Sequence, residues 1–239
     1  MSPPPPPVLS VSGLTSGYGE VPVVRDISIE VGASEIVTII GPNGAGKSTV
    51  LKAIFGLLRT WDGQVQLDGT SITGLPPERL VRQGIGYVPQ TENIFSSLTI
   101  RENLAIGGFT RATGLAERID WVFALFPVLA ERPNERASRL SGGQRQTLAI
   151  GRALMLEPRL LMLDEPSASL SPIMLQTVFE NVVEINRRGT AILMVEQNAR
   201  QALSISHRGY VLANGINRLT GPAADLLASD EVRRLYLGE

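Results

Sequence analysis

A chain of 239 residues that is 43% hydrophobic and 19% charged can bury one sizeable core, and 22 basic against 23 acidic side chains leave a net charge of −1. That near-neutral balance disfavours a basic nucleic-acid binder, an acidic solvating chain and a disordered protein. With no cysteine and the lone histidine His207, a disulfide scaffold, a thiolate or His-rich metal site and a Ser-His-Asp triad are set aside, and a reducing compartment is the natural reading.

Residues 3–7 are all proline and favour a short, solvated polyproline II arm; no basic segment or apolar run marks a signal peptide. Residues 8–31 read as short strands broken by Gly13, Gly17, Gly19 and Pro22. After a turn at Gly32 come a strand at 35–40, a glycine-rich loop and a helix at 47–58. A strand at 64–67 ends in the hairpin signal Asp68-Gly69, followed by a helix at 76–83 and a strand at 85–88. Between about 91 and 158 strand signals vanish, and helices are expected at 100–106, 115–126 and 141–156. Strands return at 160–163 and 191–195 on either side of a helix at 172–187. A helix at 199–205, a hairpin through Asn214-Gly215 and helices at 223–228 and 230–235 complete the chain. Apolar strands alternating with helices imply a parallel sheet, with the helical stretch inserted beside it. The longest apolar runs, at 36–40 and 160–163, have the length of buried strands and fall far short of the ~20 residues that span a bilayer. Any membrane role is therefore expected to run through a partner.

The loop Gly41-Pro42-Asn43-Gly44-Ala45-Gly46-Lys47-Ser48 fits G-x-x-x-x-G-K-[ST], with an apolar strand before it and a helix after. Its glycines let successive backbone N–H groups turn inward on phosphate oxygens, and the helix start adds further donors and a positive dipole end. Only Lys47 and Lys52 among the 22 basic residues are lysines, and Lys47 stands where a compact ammonium suits a terminal phosphate. Ser48 can ligate Mg²⁺ through its hydroxyl. A second apolar strand ends in Asp164 and Glu165. At the carboxyl edge of a parallel sheet, Asp164 is placed to hold Mg²⁺ through water and Glu165 to polarise an attacking water.

The run Leu140-Ser141-Gly142-Gly143-Gln144-Arg145-Gln146, ahead of a helix, resembles the signature of ABC-transporter ATPases. Gln90 after residues 85–89 and Tyr18 within Ser16-Gly17-Tyr18-Gly19 extend the resemblance over nearly the whole chain in family order. The resemblance implies a P-loop NTPase core with a mostly parallel sheet, an N-terminal antiparallel β subdomain and an α-helical subdomain inserted at about 91–158. Residues 8–239 would form that ATPase domain behind the proline-rich 1–7. It further implies ATP and Mg²⁺ as cofactors: Tyr18 stacked on adenine, Gly41, Asn43, Gly44, Ala45, Gly46, Lys47, Ser48 and Thr49 around the phosphates, and Ser48, Gln90 and Asp164 at the metal. Glu165, Lys47, Gln90 and Gln197 are the implied catalytic set. Ser141, Gly142, Gly143 and Gln144 can offer donors to a phosphate, and the resemblance implies that they reach the nucleotide of a second, head-to-tail subunit.

Two positions depart from the family pattern. Gln197 occupies the switch-histidine position; its amide donates a neutral hydrogen bond but cannot become cationic, and His207, ten residues on, reads as structural. Ser171 stands where an aspartate is usual. Val195-Glu196-Gln197-Asn198, Arg208-Gly209-Tyr210-Val211-Leu212 and the ending Tyr236-Leu237-Gly238 resemble one ATPase of the branched-chain amino-acid importers. That implies a companion ABC ATPase subunit, two integral-membrane permeases and, indirectly, an external substrate-binding protein, with no nucleic-acid partner. The expected place is the cytoplasmic face of a bacterial inner membrane. Urea and short-amide importers look similar. A non-transport ABC ATPase working on ribosomes or DNA stays open as an alternative, although such proteins usually carry tandem domains or long coiled-coil insertions, which do not fit in 239 residues. A nucleotide-sensing subunit, motivated by Gln197, is the further alternative.

Overall fold

The computed structural model describes residues 6–91 and 93–233, so residues 3–5 of the proline run, the end of the helix expected at 230–235 and the segment 236–238 lie outside it. The chain opens with β1 (Leu9–Tyr18) and β2 (Val21–Val31), then β3 (Ile36–Ile40), α1 (Lys47–Ile54), β4 (Thr60–Leu67), β5 (Thr70–Ser71), α2 (Pro77–Arg82) and β6 (Ile85–Val88). Helices follow: α3 (Ile100–Gly107), α4 (Leu115–Leu125), α5 (Pro127–Ala130) and, after a 3-10 turn at Ala137–Arg139, α6 (Gly142–Leu154). Then come β7 (Leu160–Asp164), α7 (Pro172–Arg187), β8 (Ala191–Glu196), α8 (Ala199–Ser204), β9 (Arg208–Ala213), β10 (Ile216–Pro222), α9 (Ala223–Ala228) and α10 (Asp230–Val232).

Two sheets result. One is antiparallel in the order β2-β1-β4-β5; the other runs β10-β9-β3-β8-β7-β6 and is parallel from β9 to β6, with β10 added antiparallel. The expected architecture of a mostly parallel sheet, a separate antiparallel one and inserted helices is met. The broken short strands expected over 8–31 are corrected to two long paired strands, whose register shifts between Val11 and Leu14 and between Ser16 and Gly17. Glycine inside a strand pattern marked bulges here, which bend a strand without ending its pairing. The helix expected to reach residue 58 stops at Ile54, because Gly56 takes φ +70 and a Cβ there would collide with the Leu75 carbonyl. The hairpin at Asp68-Gly69 is present, both residues lying at positive φ.

The parallel strands are buried on both faces, which is why they read as unbroken apolar runs. Val37, Ile39, Leu160, Met162, Leu193 and Val195 pack towards α1 and the antiparallel sheet. Leu161, Leu163, Ile192 and Met194 alternate with them and share a core with Leu104, Val122, Phe126 and Leu148 of the inserted helices. The helical stretch is thus anchored on the sheet itself. Two of its helices, α3 and α6, begin at capping boxes, Thr99 with Glu102 and Ser141 with Gln144. The loops after β3, β6, β7 and β8 all leave the same carboxyl edge of the parallel sheet, where ligands bind in open α/β folds.

Phe126, 2% exposed, sits at the centre of the shared core. Phe126→Ala should destabilise the fold by about 3–5 kcal/mol, read from the urea midpoint at unchanged slope. A loss below about 1 kcal/mol would mean that helices and sheet do not form one core.

Candidate active site

β3 delivers the glycine-rich loop and α1 starts at Lys47, with Gly46 in the N-cap position at φ +96. A Cβ on Gly46 would collide with Val24 of β2, so glycine is required both by the backbone angle and by the close approach. The Gly215 amide donates to the Ala45 carbonyl at 3.2 Å, tying the loop to the β9–β10 hairpin. Lys47 is buried; its ammonium donates to the carbonyls of Gly41 at 3.0 Å and Pro42 at 3.2 Å and lies 3.7 Å from Glu165 Oε1. No short hydrogen bond joins the two charges, so phosphate oxygens entering the loop can compete for the ammonium. Tyr18 ends β1 across a tight turn from Val21, with its ring 49% exposed. Val23, further along β2, lines the same cavity as the loop.

Asp164 closes β7 and is fully engaged. Its Oδ1 accepts from the Ser48 hydroxyl at 2.7 Å and its Oδ2 from the Tyr87 phenol at 3.2 Å. Burial, then the Asp164 carboxylate, pushes the Tyr87 phenol well above its ordinary pKa, so it stays a neutral donor. A hydroxyl and a carboxylate in contact beside a phosphate-binding loop are the hard oxygen donors that Mg²⁺ prefers, and the residues present fit that ion.

Glu165 follows at φ +47, an unfavourable left-handed conformation for a non-glycine residue, held by its N–H bond to the Val195 carbonyl at 3.0 Å. Its buried carboxylate is the meeting point of the site: Oε2 accepts from Gln197 at 2.6 Å and Gln90 at 2.9 Å. Two cavities flank it. One of about 170 Å³ is lined by Asn43, Gly44, Gly46, Lys47, Ser48 and Thr49. The other, of about 270 Å³, is lined by Gln90, Ser167, Ser169, Glu196 and Gln197. Lys47, Ser48, Asp164, Glu165, Gln90 and Gln197 are therefore brought together. Gln90 bonds Glu165 and not the Ser48–Asp164 pair.

Ser141, Gly142, Gly143 and Gln144 line neither cavity. The Ser141 hydroxyl accepts from the Gln144 amide at 3.3 Å, and the Gln144 side chain accepts from the Ser141 N–H at 3.0 Å. Gly143 packs against Met174 of α7. Ser171 caps α7 by position only, with no side-chain bond to the helix. His207 lies at the opposite, amino end of β3, where Nδ1 accepts from the Ile36 N–H at 3.0 Å. Sequence reasoning missed Tyr87 and gave Glu196 no role. Nothing in a strand-borne tyrosine signals its acid partner, whereas an acid ending buried β8, like Asp164 ending β7, was a usable signal.

Residues 24–168 match a family model described as ABC transporter. The chain is 45% identical to the high-affinity branched-chain amino acid transport ATP-binding protein BraG of Pseudomonas aeruginosa, over 97% of this chain and 100% of that protein. It is 40% identical to the probable branched-chain amino acid transport ATP-binding protein LivF of Archaeoglobus fulgidus, over 94% and 96% of the two chains. Among solved structures, an ATP-binding cassette of an ABC transporter in its ADP conformation superposes with a TM-score of 0.88 at 28% identity, covering 98% of this chain and 99% of the other.

Ser48→Ala removes the donor on Asp164 Oδ1 while leaving the backbone loop intact. Calorimetry should show affinity for ATP falling about tenfold or more with Mg²⁺ and little without it. Equal losses in both conditions would take Ser48 out of the metal site.

Proposed function

The chain belongs to the ABC transporter family of ATP-hydrolysing subunits, and from that premise we propose that it energises an importer of branched-chain amino acids. The substrate reading is supported by the two branched-chain amino acid transport relatives, which match the chain along almost its whole length. We take residues 8–239 as one ATPase domain carrying its helical part at about 91–158, working beside a companion ATPase and two membrane permeases at the cytoplasmic face of the membrane. Among the described residues no helix is long and apolar enough to cross a membrane, and the permeases would hold the subunit there.

The observation that carries the catalytic reading is the convergence of Gln90, Gln197 and Lys47 on the Glu165 carboxylate. The phosphates of ATP would lie on the backbone donors of residues 43–49, with Lys47 against the terminal phosphate and Tyr18 against adenine. Ser48 and Asp164 would hold Mg²⁺, which supplies charge neutralisation on the phosphates when bound. Glu165 would orient the attacking water and accept its proton, with the Gln197 and Gln90 amides fixing the carboxylate. The γ-phosphate would be completed by Ser141, Gly142, Gly143 and Gln144 of the companion, so ATP draws two subunits together and hydrolysis releases them.

A groove of about 300 Å³ between β6 and the inserted helices suits a short cytoplasmic helix of a permease. Phe95, Ile106 and Phe109 give it an exposed apolar rim, and the Arg152 guanidinium stacks on the Phe95 ring at 5.0 Å. The Arg152 guanidinium in the groove lining favours a permease segment with an apolar face and an acidic side chain.

Glu165→Gln should reduce turnover by about a hundredfold or more and leave an ATP-bound dimer that survives size-exclusion chromatography. Equal hydrolysis by variant and parent would remove Glu165 from the reaction. Phe109, 77% exposed, can be changed to Asp without disturbing the core. Phe109→Asp should lower the yield of co-purified membrane subunits about tenfold while nucleotide affinity is kept. Uptake assays with leucine, isoleucine, valine and urea test the substrate; transport of urea alone would overturn the branched-chain reading.

A further inference from the structure

Glu196, the last residue of β8, is 1% exposed, and its carboxylate faces two loops at once. Oε1 accepts from the Ser167 N–H at 2.9 Å, in the turn after Glu165. Oε2 accepts from the N–H groups of Gln197 at 3.1 Å and Asn198 at 3.4 Å. Three of its partners are backbone N–H donors and the Ser167 hydroxyl is a fourth donor, so an acceptor-only group satisfies them and an amide, with an NH₂ on one side, does not. Burying a carboxyl is costly: desolvation pushes its pKa up, opposed by the bonds from Ser167, Asn198 and Gln197.

Three consecutive residues of this strand end grip the acid's turn at different points. The Val195 carbonyl holds the Glu165 N–H, the Glu196 carboxylate holds the Ser167 N–H, and the Gln197 amide donates to Glu165 Oε2. The gripped turn is strained, with Glu165 at φ +47 and Ser169 at φ +60 on either side of Ser167. Holding such a turn while aiming a side chain at the same acid requires both loops to be fixed to one rigid group.

We propose that Glu196 is a positioning residue for ATP hydrolysis: its buried carboxylate locks the turn of Glu165 to the segment carrying Gln197, setting the Gln197 amide on the Glu165 carboxylate. The inference rests on the role given to Glu165 above. Glu196 touches no substrate and acts through Gln197 and the Ser167 turn.

The test uses the full-length chain purified with its membrane subunits and compares Glu196→Gln, Glu196→Asp and the same changes in a Gln197→Ala background. Glu196→Gln should lower kcat about tenfold or more with KM for ATP within about twofold, because the bonds lost are charge-assisted and lie off the nucleotide. Glu196→Asp, which keeps an acceptor-only group, should recover part of the loss. In the Gln197→Ala background the same substitutions should cost much less, the non-additivity expected of residues that act as a unit. Turnover of folded Glu196→Gln within about twofold of the parent overturns the proposal, as does an undiminished effect in the Gln197→Ala background. Should Glu196→Gln not fold, Glu196→Asp carries the test, and an unchanged kcat in that variant overturns it equally. A lowered melting temperature with unchanged kcat per folded molecule marks a purely structural residue and also overturns it. Full activity of Glu165→Gln would instead strike the reading of Glu165, separately from Glu196.

Discussion

One buried carboxylate, Glu165, is shared by side chains arriving from the ends of β3, β6 and β8: Lys47 at 3.7 Å, Gln90 at 2.9 Å and Gln197 at 2.6 Å. A carboxylate away from water is tolerable only with such partners, and stripping one from a buried charge pair costs about 3–5 kcal/mol. The two amides are neutral and bind the same oxygen, while the ammonium stands off the other at a distance longer than a hydrogen bond. Fixed amides and a loosely held cation give the site one part that stays and one that can be exchanged. In the proposed reaction a triphosphate entering the loop would draw Lys47 towards itself while the amides keep Glu165 aimed.

That convergence depends on the parallel sheet. Strands that run the same way end at the same edge, so four loops separated widely in sequence open onto one crevice. The core makes the edge rigid: β3, β7 and β8 are buried along their whole length, packed on one face by α1 and the antiparallel sheet and on the other by the inserted helices. Left-handed Glu165 is a local cost that such a frame sustains, since its N–H is taken by the neighbouring strand and its side chain by two loops. The strain sits where the geometry has to be specific.

What was legible in the sequence is what is local. The phosphate loop, the paired acids after β7 and the signature are contiguous runs whose backbone chemistry explains their residues, and β3, β7 and β8 showed themselves as short apolar runs. Gly13 and Gly17 were misread as breaks because a bulge and a turn share the same residue; only the pairing of β1 with β2 distinguishes them. The end of α1 was misplaced because Gly56 leaves the helical conformation at φ +70, in a place beside the Leu75 carbonyl where only glycine fits, which periodicity does not encode. Tyr87 stayed hidden for a different reason: its partner Asp164 lies 77 residues away, and a pairing at that distance exists only in the folded chain; the strand-end place of Glu196 was readable, but its bond to Ser167, 29 residues away, was not.

The same geometry bears on the proposal that one subunit supplies half of a site. The phosphate loop is wedged against Val24 of β2 and the Leu212 carbonyl of β9, whereas the start of α6 faces α7 through Gly143 and Met174. The signature residues line neither cavity beside Glu165, which supports the proposal of a second subunit facing the first. The turn from Glu165 to Leu170 spans both: its beginning carries the acid, Ser167 is held by Glu196, and Leu170 lies where a Cβ on Gly142 would come within 3.2 Å of it. A shift in that turn would therefore move Glu165 together with the start of α6, which on the proposed reading couples one subunit's nucleotide to the signature offered to the other's. Because Gln197 is an amide, it carries no charge to lose through the pH range, about 5 to 8, in which a histidine would change charge. On the proposed reading, backbone position sets the link between the two sites, and the rigid group that fixes that position is the carboxylate of Glu196.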